Sequence, residues 1–211
     1  MELKGKKAIF LGDSITEGAG TAGPEFFYWQ VFGRKYGLGE VKGYGIGGTR
    51  IARQQHPSEN ARFDLDFCRR CEEMDKEADF VVVFGGTNDF GHGDAPLGTP
   101  ADRTPDSFYG ACHYLMHRLI ELYPTACIVF MTPMHRAEET KEGKAPLGQY
   151  VKIIREVAEN YSLPVLDLYG TLGVDPQIEV QRNLYTADGL HPNNAGAEKI
   201  ADRLGHFLLS L

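Results

Sequence analysis

The sequence predicts an α/β fold in which a parallel sheet is covered by helices on both faces. Apolar runs of strand length recur along the chain, and amphipathic stretches of helical length separate them. The strongest run, Phe80-Val-Val-Val-Phe84, is continuous and β-branched rather than alternating. A continuous run of that kind suits a strand buried on both faces. Regular strand–helix alternation is the pattern of parallel strands joined by crossover helices. At 211 residues the chain is long enough to bury a full core as one domain, 1–211, and no repeat, linker or low-complexity segment divides it.

The elements follow in order. Residues 7–11 form the first strand, 26–36 a helix, 41–46 a short strand and 60–76 a helix. The clearest strand spans 79–85. Within 106–122, Phe108, Ala111, Cys112, Leu115 and Leu119 recur at helical spacing. A buried strand over 126–131 is stopped by Thr132-Pro133. Leu147, Val151, Ile154 and Ala158 mark the next helix, 163–168 is a fifth strand, and 195–208 a closing helix.

Composition narrows the function classes. Hydrophobic content of 42% and charged content of 24% are those of a soluble globular protein. A net charge of -7 argues against a nucleic-acid partner, which calls for a basic stripe. No run approaches the roughly 20 apolar residues of a membrane span. The charged start and the short apolar run after it, Ala8 to Leu11, do not read as a signal peptide, so the expected location is cytoplasmic. Cys68-Arg-Arg-Cys71 has redox or half-zinc spacing, but no second ligand pair follows. Structural thiols are the expectation for Cys68, Cys71, Cys112 and Cys127.

Function in such sheets sits at the carboxyl ends of the strands. Asp188-Gly-Leu-His191, followed by Pro192, puts a carboxylate three residues before an imidazole at the entrance to the last helix. Groups three apart on a helical turn are neighbours, so the acid can orient the base. Of the chain's five serines, only Ser14 stands at a strand's carboxyl end beside a glycine, in Gly12-Asp-Ser14. That makes it the candidate nucleophile; the competing reading is a turn that caps the next helix. Gly85-Gly-Thr-Asn88-Asp89 follows the strongest strand, and Asn88 either offers an amide donor to an oxyanion or satisfies its own loop. Gly43-Tyr-Gly-Ile-Gly-Gly48 matches the dinucleotide fingerprint, with Asp64 at ribose-binding distance; the competing use of Gly48 is a bare backbone N–H presented to an anion. His113 and His117 share a helix face at metal-ligand spacing, without a third ligand beside them. Phe26-Phe-Tyr-Trp29, Phe90-Gly-His92 and Met134-His-Arg136 are candidate pocket linings, with helix core the alternative for the aromatic cluster.

Taken together, these segments resemble the SGNH-hydrolase, or GDSL esterase/lipase, superfamily. Gly12-Asp13-Ser14 is similar to the family's first block and Gly48 to its second-block glycine. Gly86-Thr-Asn88-Asp89 is similar to the third block and Asp188-Gly-Leu-His191 to the fifth. Gly43 stands where the second block often begins with asparagine. The resemblance implies a three-layer α/β/α, flavodoxin-like five-stranded parallel sheet. It further implies a catalytic set of Ser14, Asp188 and His191, with an oxyanion hole from Ser14, Gly48 and Asn88. The implied activity is carboxylic ester hydrolysis through an acyl-enzyme, on a small-molecule ester and with no metal or cofactor. Short acyl groups such as acetyl on carbohydrate are expected, since no long apolar insertion provides a lid. A lysophospholipase or thioesterase, or a non-catalytic nucleotide- or ligand-binding module of the same fold, are the alternatives.

Overall fold

The computed structural model describes residues 2–211. Among them, five strands form one all-parallel sheet: β1 (Lys7–Gly12), β2 (Glu40–Gly45), β3 (Phe80–Phe84), β4 (Cys127–Met131) and β5 (Val165–Leu166). Their spatial order is β2-β1-β3-β4-β5. This is the flavodoxin-like order, whose direction reverses between β1 and β3 and opens a crevice at the carboxyl ends of those two strands.

The helices are α1 (Ser14–Glu17), α2 (Tyr28–Tyr36), α3 (Phe67–Arg70), α4 (Thr87–His92), α5 (Phe108–Leu122), α6 (Leu147–Asn160), α7 (Leu168–Thr171), α8 (Glu179–Tyr185) and α9 (Asn194–Ser210). Side chains alternate across the pleat, so each strand feeds two cores. Ile9, Leu11, Val81, Val83, Ile128 and Phe130 meet α3, α5 and α6 on one face. Phe10, Phe80, Val82, Phe84 and Val129 meet α2 and α9 on the other. The result is the three-layer α/β/α arrangement that the sequence predicts. No helix among the described residues is long and apolar enough to cross a membrane.

Two expectations need correction, and one helix lies outside them. The single helix expected over 60–76 is broken into a 3₁₀ turn (Ala61–Asp64), α3 and a second 3₁₀ turn (Cys71–Glu73). The break comes at Asp66, which is extended and caps α3 by accepting from the Arg69 N–H. The fifth strand is only Val165–Leu166, because Asp167 caps α7 by accepting from the Gly170 N–H and Pro164 precedes the strand at the sheet's edge. Helix α8 answers to no expectation; its apolar Val180 and Leu184 are exposed and only Tyr185 packs on the core, so it carries no apolar periodicity to read.

Candidate active site

The carboxyl end of β1 presents Ser14. Asp13, buried, caps α1 by accepting the Ile15 N–H at 3.0 Å, and Ser14 is the first helical residue. A residue in that place has a backbone N–H with no acceptor inside the helix. The turn that the competing reading of Gly-Asp-Ser calls for is therefore present, and it is the device that holds Ser14 at the sheet edge.

Ser14 Oγ lies 2.9 Å from His191 Nε2, across 177 residues of sequence. His191 Nδ1 lies 2.7 Å from Asp188 Oδ2. A carboxylate only accepts, so Nδ1 carries the ring proton and Nε2 is left bare toward the serine hydroxyl. The pair is not set on a helical turn as the three-residue spacing suggested. Residues 186–192 form a small closed loop before α9, pinned by a Thr186–Pro192 bridge and by the Ala187 N–H donating to His191 O at 2.8 Å. Asp188 Oδ1 accepts from the N–H groups of Leu190 (2.9 Å) and His191 (2.8 Å), an Asx turn that brings acid and imidazole together. Partial burial works to raise the Asp188 pKa, but the His191 backbone N–H, its imidazole and the Leu190 N–H outweigh it and hold the carboxyl below its ordinary value.

Gly48 and Asn88 arrive from the ends of β2 and β3. Gly48 has φ +77°, which a side chain would strain. Its N–H donates to no protein acceptor among the described residues. The neighbouring Gly47 N–H donates to Glu17 Oε2 at 2.8 Å, and a Cβ on Gly47 would stand 3.6 Å from Ser14 Cβ, so this turn lies against the serine. Asn88, buried, donates one amide hydrogen to Thr49 O at 3.0 Å. An amide nitrogen has two hydrogens, and the second remains available. Asn88 thus orients itself on the loop beside Gly48, which unites its two sequence readings.

Three side chains that sequence reasoning did not single out hold this arrangement. Arg70 is buried and donates to Gly12 O (2.9 Å), Tyr44 O (2.6 Å), Leu65 O (2.8 Å) and Thr49 Oγ1 (2.8 Å), tying the ends of β1 and β2 to the Gly48 turn. Burial brings its pKa down to about 10. Glu17 holds Gly47 and pairs with Arg62. Asp89 accepts from Ile51 N–H (3.0 Å) and Ala52 N–H (2.9 Å), fixing the far side of the same loop. Burial pushes both Asp13 and Asp89 up to about 6. Asp89 adjoins Asn88 in the same motif and was open to notice; Arg70 lay hidden between two cysteines on an apparently amphipathic stretch.

The competing motifs have ordinary places. Gly43 and Gly45 lie inside β2, a Cβ on Gly43 would strike the Trp29 ring, and no helix opens after Gly48 to receive a pyrophosphate. Asp64 is ion-paired with Arg50. Cys68, Cys71 and Cys112 are buried thiols, and burial pushes Cys71 up to about 12. His113 is buried against the Tyr161 hydroxyl at 3.1 Å, and His117 is exposed. Among the described residues no three His, Cys, Asp or Glu side chains gather to hold a metal. Of the aromatic cluster, Tyr28 is buried with its hydroxyl 3.0 Å from Thr16 Oγ1, and Trp29 stacks on Phe10. Phe90 and Met134 are buried as well, whereas His92 and Arg136 reach the surface.

The sequence model of the GDSL-like Lipase/Acylhydrolase family matches residues 10–199. Among solved structures, a protein from Lactobacillus plantarum is 30% identical, with 99% of this chain and 98% of that one covered at a TM-score of 0.86. An acetyl xylan esterase is 24% identical over 94% of this chain and 97% of its own, with a TM-score of 0.65. A salicylyl-acyltransferase of a tetracycline biosynthetic pathway is 20% identical over 98% of this chain and 55% of its own, with a TM-score of 0.70. These last two likenesses speak to fold alone. Among curated proteins, none matches the chain.

Proposed function

Because the chain belongs to the GDSL-like lipase/acylhydrolase family, we propose that it is a serine esterase that removes short acyl groups, acetyl among them, from carbohydrate or other small esters. The observation that carries this reading is the relay from Ser14 Oγ through His191 to Asp188, at 2.9 and 2.7 Å.

His191 Nε2 takes the hydroxyl proton as Ser14 Oγ attacks the ester carbonyl, and the imidazolium that forms is stabilised by Asp188. The carbonyl oxygen gathers negative charge and faces the N–H groups of Ser14 and Gly48 and the free amide hydrogen of Asn88. Donors already fixed in place stabilise that charge without reorganising, and loss of one costs about 10²–10³ in rate. His191 returns the proton to the departing alcohol. Water then attacks the acyl-Ser14 ester with the same imidazole as base, and the acid leaves. Each group these steps need is a side chain or backbone N–H of this chain. Support for a short acyl group comes from the lack of a long apolar insertion over the site.

Ser14→Ala tests the reading directly. Hydrolysis of p-nitrophenyl acetate should fall by about a thousandfold or more while the melting temperature stays near that of the parent. A fluorophosphonate should label Ser14 in the parent. Undiminished turnover in the variant would end the proposal.

A further inference from the structure

Beside Ser14 the cleft has a second wall that takes no part in the relay. Gly48 lies directly against the Phe63 ring, since a Cβ placed on Gly48 would fall 2.2 Å from Phe63 Cδ1 and Cε1. The ring therefore borders the backbone that carries one oxyanion donor. His92 stands next to it, with ring centroids 5.4 Å apart and planes at 44°. His92 also follows Asn88 by four residues on α4, and residues so spaced share a helix face. Phe63, half-buried, and His92, exposed, thus make an aromatic shelf running outward from Gly48 and Asn88.

The shelf has a defined polar character. Arg50, buried, is held by Ser58 Oγ, Phe63 O and Asp64 Oδ1, and its Nη1 lies 3.2 Å from His92 Nδ1. A guanidinium only donates, so Nδ1 accepts and the ring proton sits on Nε2. Nε2 meets no protein partner among the described residues. One edge of the ring reaches solvent. The protein packed around the rest, then Arg50, Lys144, Lys141 and Arg136, hold its pKa down at about 4. At neutral pH the imidazole is thus an uncharged, single N–H donor. The surrounding cations are already engaged, Arg136 with Thr87, Lys141 with Gly91 O and Lys144 with Gly93 O. Lys141 and Lys144 donate to carbonyls at the carboxyl end of α4, where cations suit the helix dipole, and Arg136 donates at its amino end.

We propose that Phe63 and His92 form the subsite for the alcohol part of the ester, and that this part is a hydroxylated ring, a sugar. An apolar C–H face of the sugar lies on the Phe63 ring, whose face is electron-rich. A sugar hydroxyl accepts from His92 Nε2–H, close enough to Asn88 that an ester on the same ring reaches Ser14. The assignment rests on the serine esterase reading; with a short acyl group, the ring-bearing part is the alcohol.

Initial rates by pH-stat on a monoacetylated methyl xyloside and on ethyl acetate test it, expressed as the ratio of the two kcat/KM values. Ethyl acetate carries no ring and no hydroxyl, and serves within each variant as the reference for folded, active enzyme. The parent should favour the sugar ester by about tenfold or more, as one added hydrogen bond and ring contact allow. His92→Phe, which keeps a ring and removes the donor, and Phe63→Leu should each shrink that ratio by about fivefold, and His92→Gln should recover part of it. No preference in the parent, or a ratio unchanged in both variants, overturns the subsite while Ser14-dependent hydrolysis of ethyl acetate keeps the esterase. Absence of Ser14-dependent hydrolysis of either ester overturns both.

Discussion

Replacing Asp188 by asparagine isolates the proton-ordering role of the acid. The substituted side chain keeps an oxygen where Oδ1 accepts from Leu190 N–H at 2.9 Å and His191 N–H at 2.8 Å, so the turn that shapes the loop survives. What changes is the atom 2.7 Å from His191 Nδ1, where an amide N–H₂ now donates. Nδ1 must then be the bare nitrogen, the ring proton moves to Nε2, and Ser14 faces a donor in place of a base. A hydrogen bond to a charged group contributes about 1.5–3 kcal/mol. The Asp188 side chain is 53% exposed, so water screens its charge and takes up part of the loss. The net cost is therefore about 1–2 kcal/mol of transition-state stabilisation, or about 5- to 30-fold in kcat/KM. Steady-state hydrolysis of p-nitrophenyl acetate at pH 7.5 reads this number, with circular dichroism melting to show that the loop and fold persist. Activity within about threefold of the parent would refute the tautomer argument, leaving a serine–histidine dyad. A loss beyond about 10⁴ would refute the allowance for exposure.

Much of the fold was legible because its signals are local. The continuous β-branched run Phe80–Phe84 suits a strand walled on both sides, and it is the centre of the sheet. The order of alternation then constrained the rest. What the sequence hid was decided by single capping groups. Asp66 and Asp167 each turn their carboxylate onto a nearby backbone N–H and cut an element short, and such competition leaves no mark in a hydrophobic pattern. Helix α8 was invisible for the opposite reason: its apolar Val180 and Leu184 face solvent and only Tyr185 packs on the core, so it has no apolar periodicity to find.

The residues that make contact with one another at Ser14 were readable where a side chain's own chemistry announces it, as in a serine after a strand or an acid near a histidine. The supports were not. Arg70 and Glu17 act through backbone groups of loops that come together only when β1, β2 and β3 are in register, and a charged residue on a helix ordinarily reads as solvated surface. The spacing from Asp188 to His191 marks two side chains that do meet, but a closed loop rather than a helical turn joins them.

Two further outcomes follow from the buried charges around this loop. Arg70→Met removes four hydrogen bonds, two of them to carbonyls of the half-buried Tyr44 and Leu65, and should cost about 3 kcal/mol of stability in urea unfolding. A loss below about 1 kcal/mol would mean that the loops are held elsewhere. Asp89→Asn tests linkage with a definite sign. Burial raises the Asp89 carboxyl from 3.8 to about 6, so the folded chain binds that proton more tightly than the unfolded chain does. The stability this contributes is fully present below about pH 4 and is lost as pH rises through about 6. A shift of that size corresponds to about 3 kcal/mol. The amide cannot titrate, and its oxygen can keep one of the two bonds, to Ile51 or Ala52. Whatever the variant loses at pH 4, it should therefore regain about 2–3 kcal/mol relative to the parent between pH 4 and pH 7.5, read from urea midpoints across that range. A difference that stays constant with pH would show that Asp89 is ionised throughout, held by Ile51 and Ala52 strongly enough to overcome its burial.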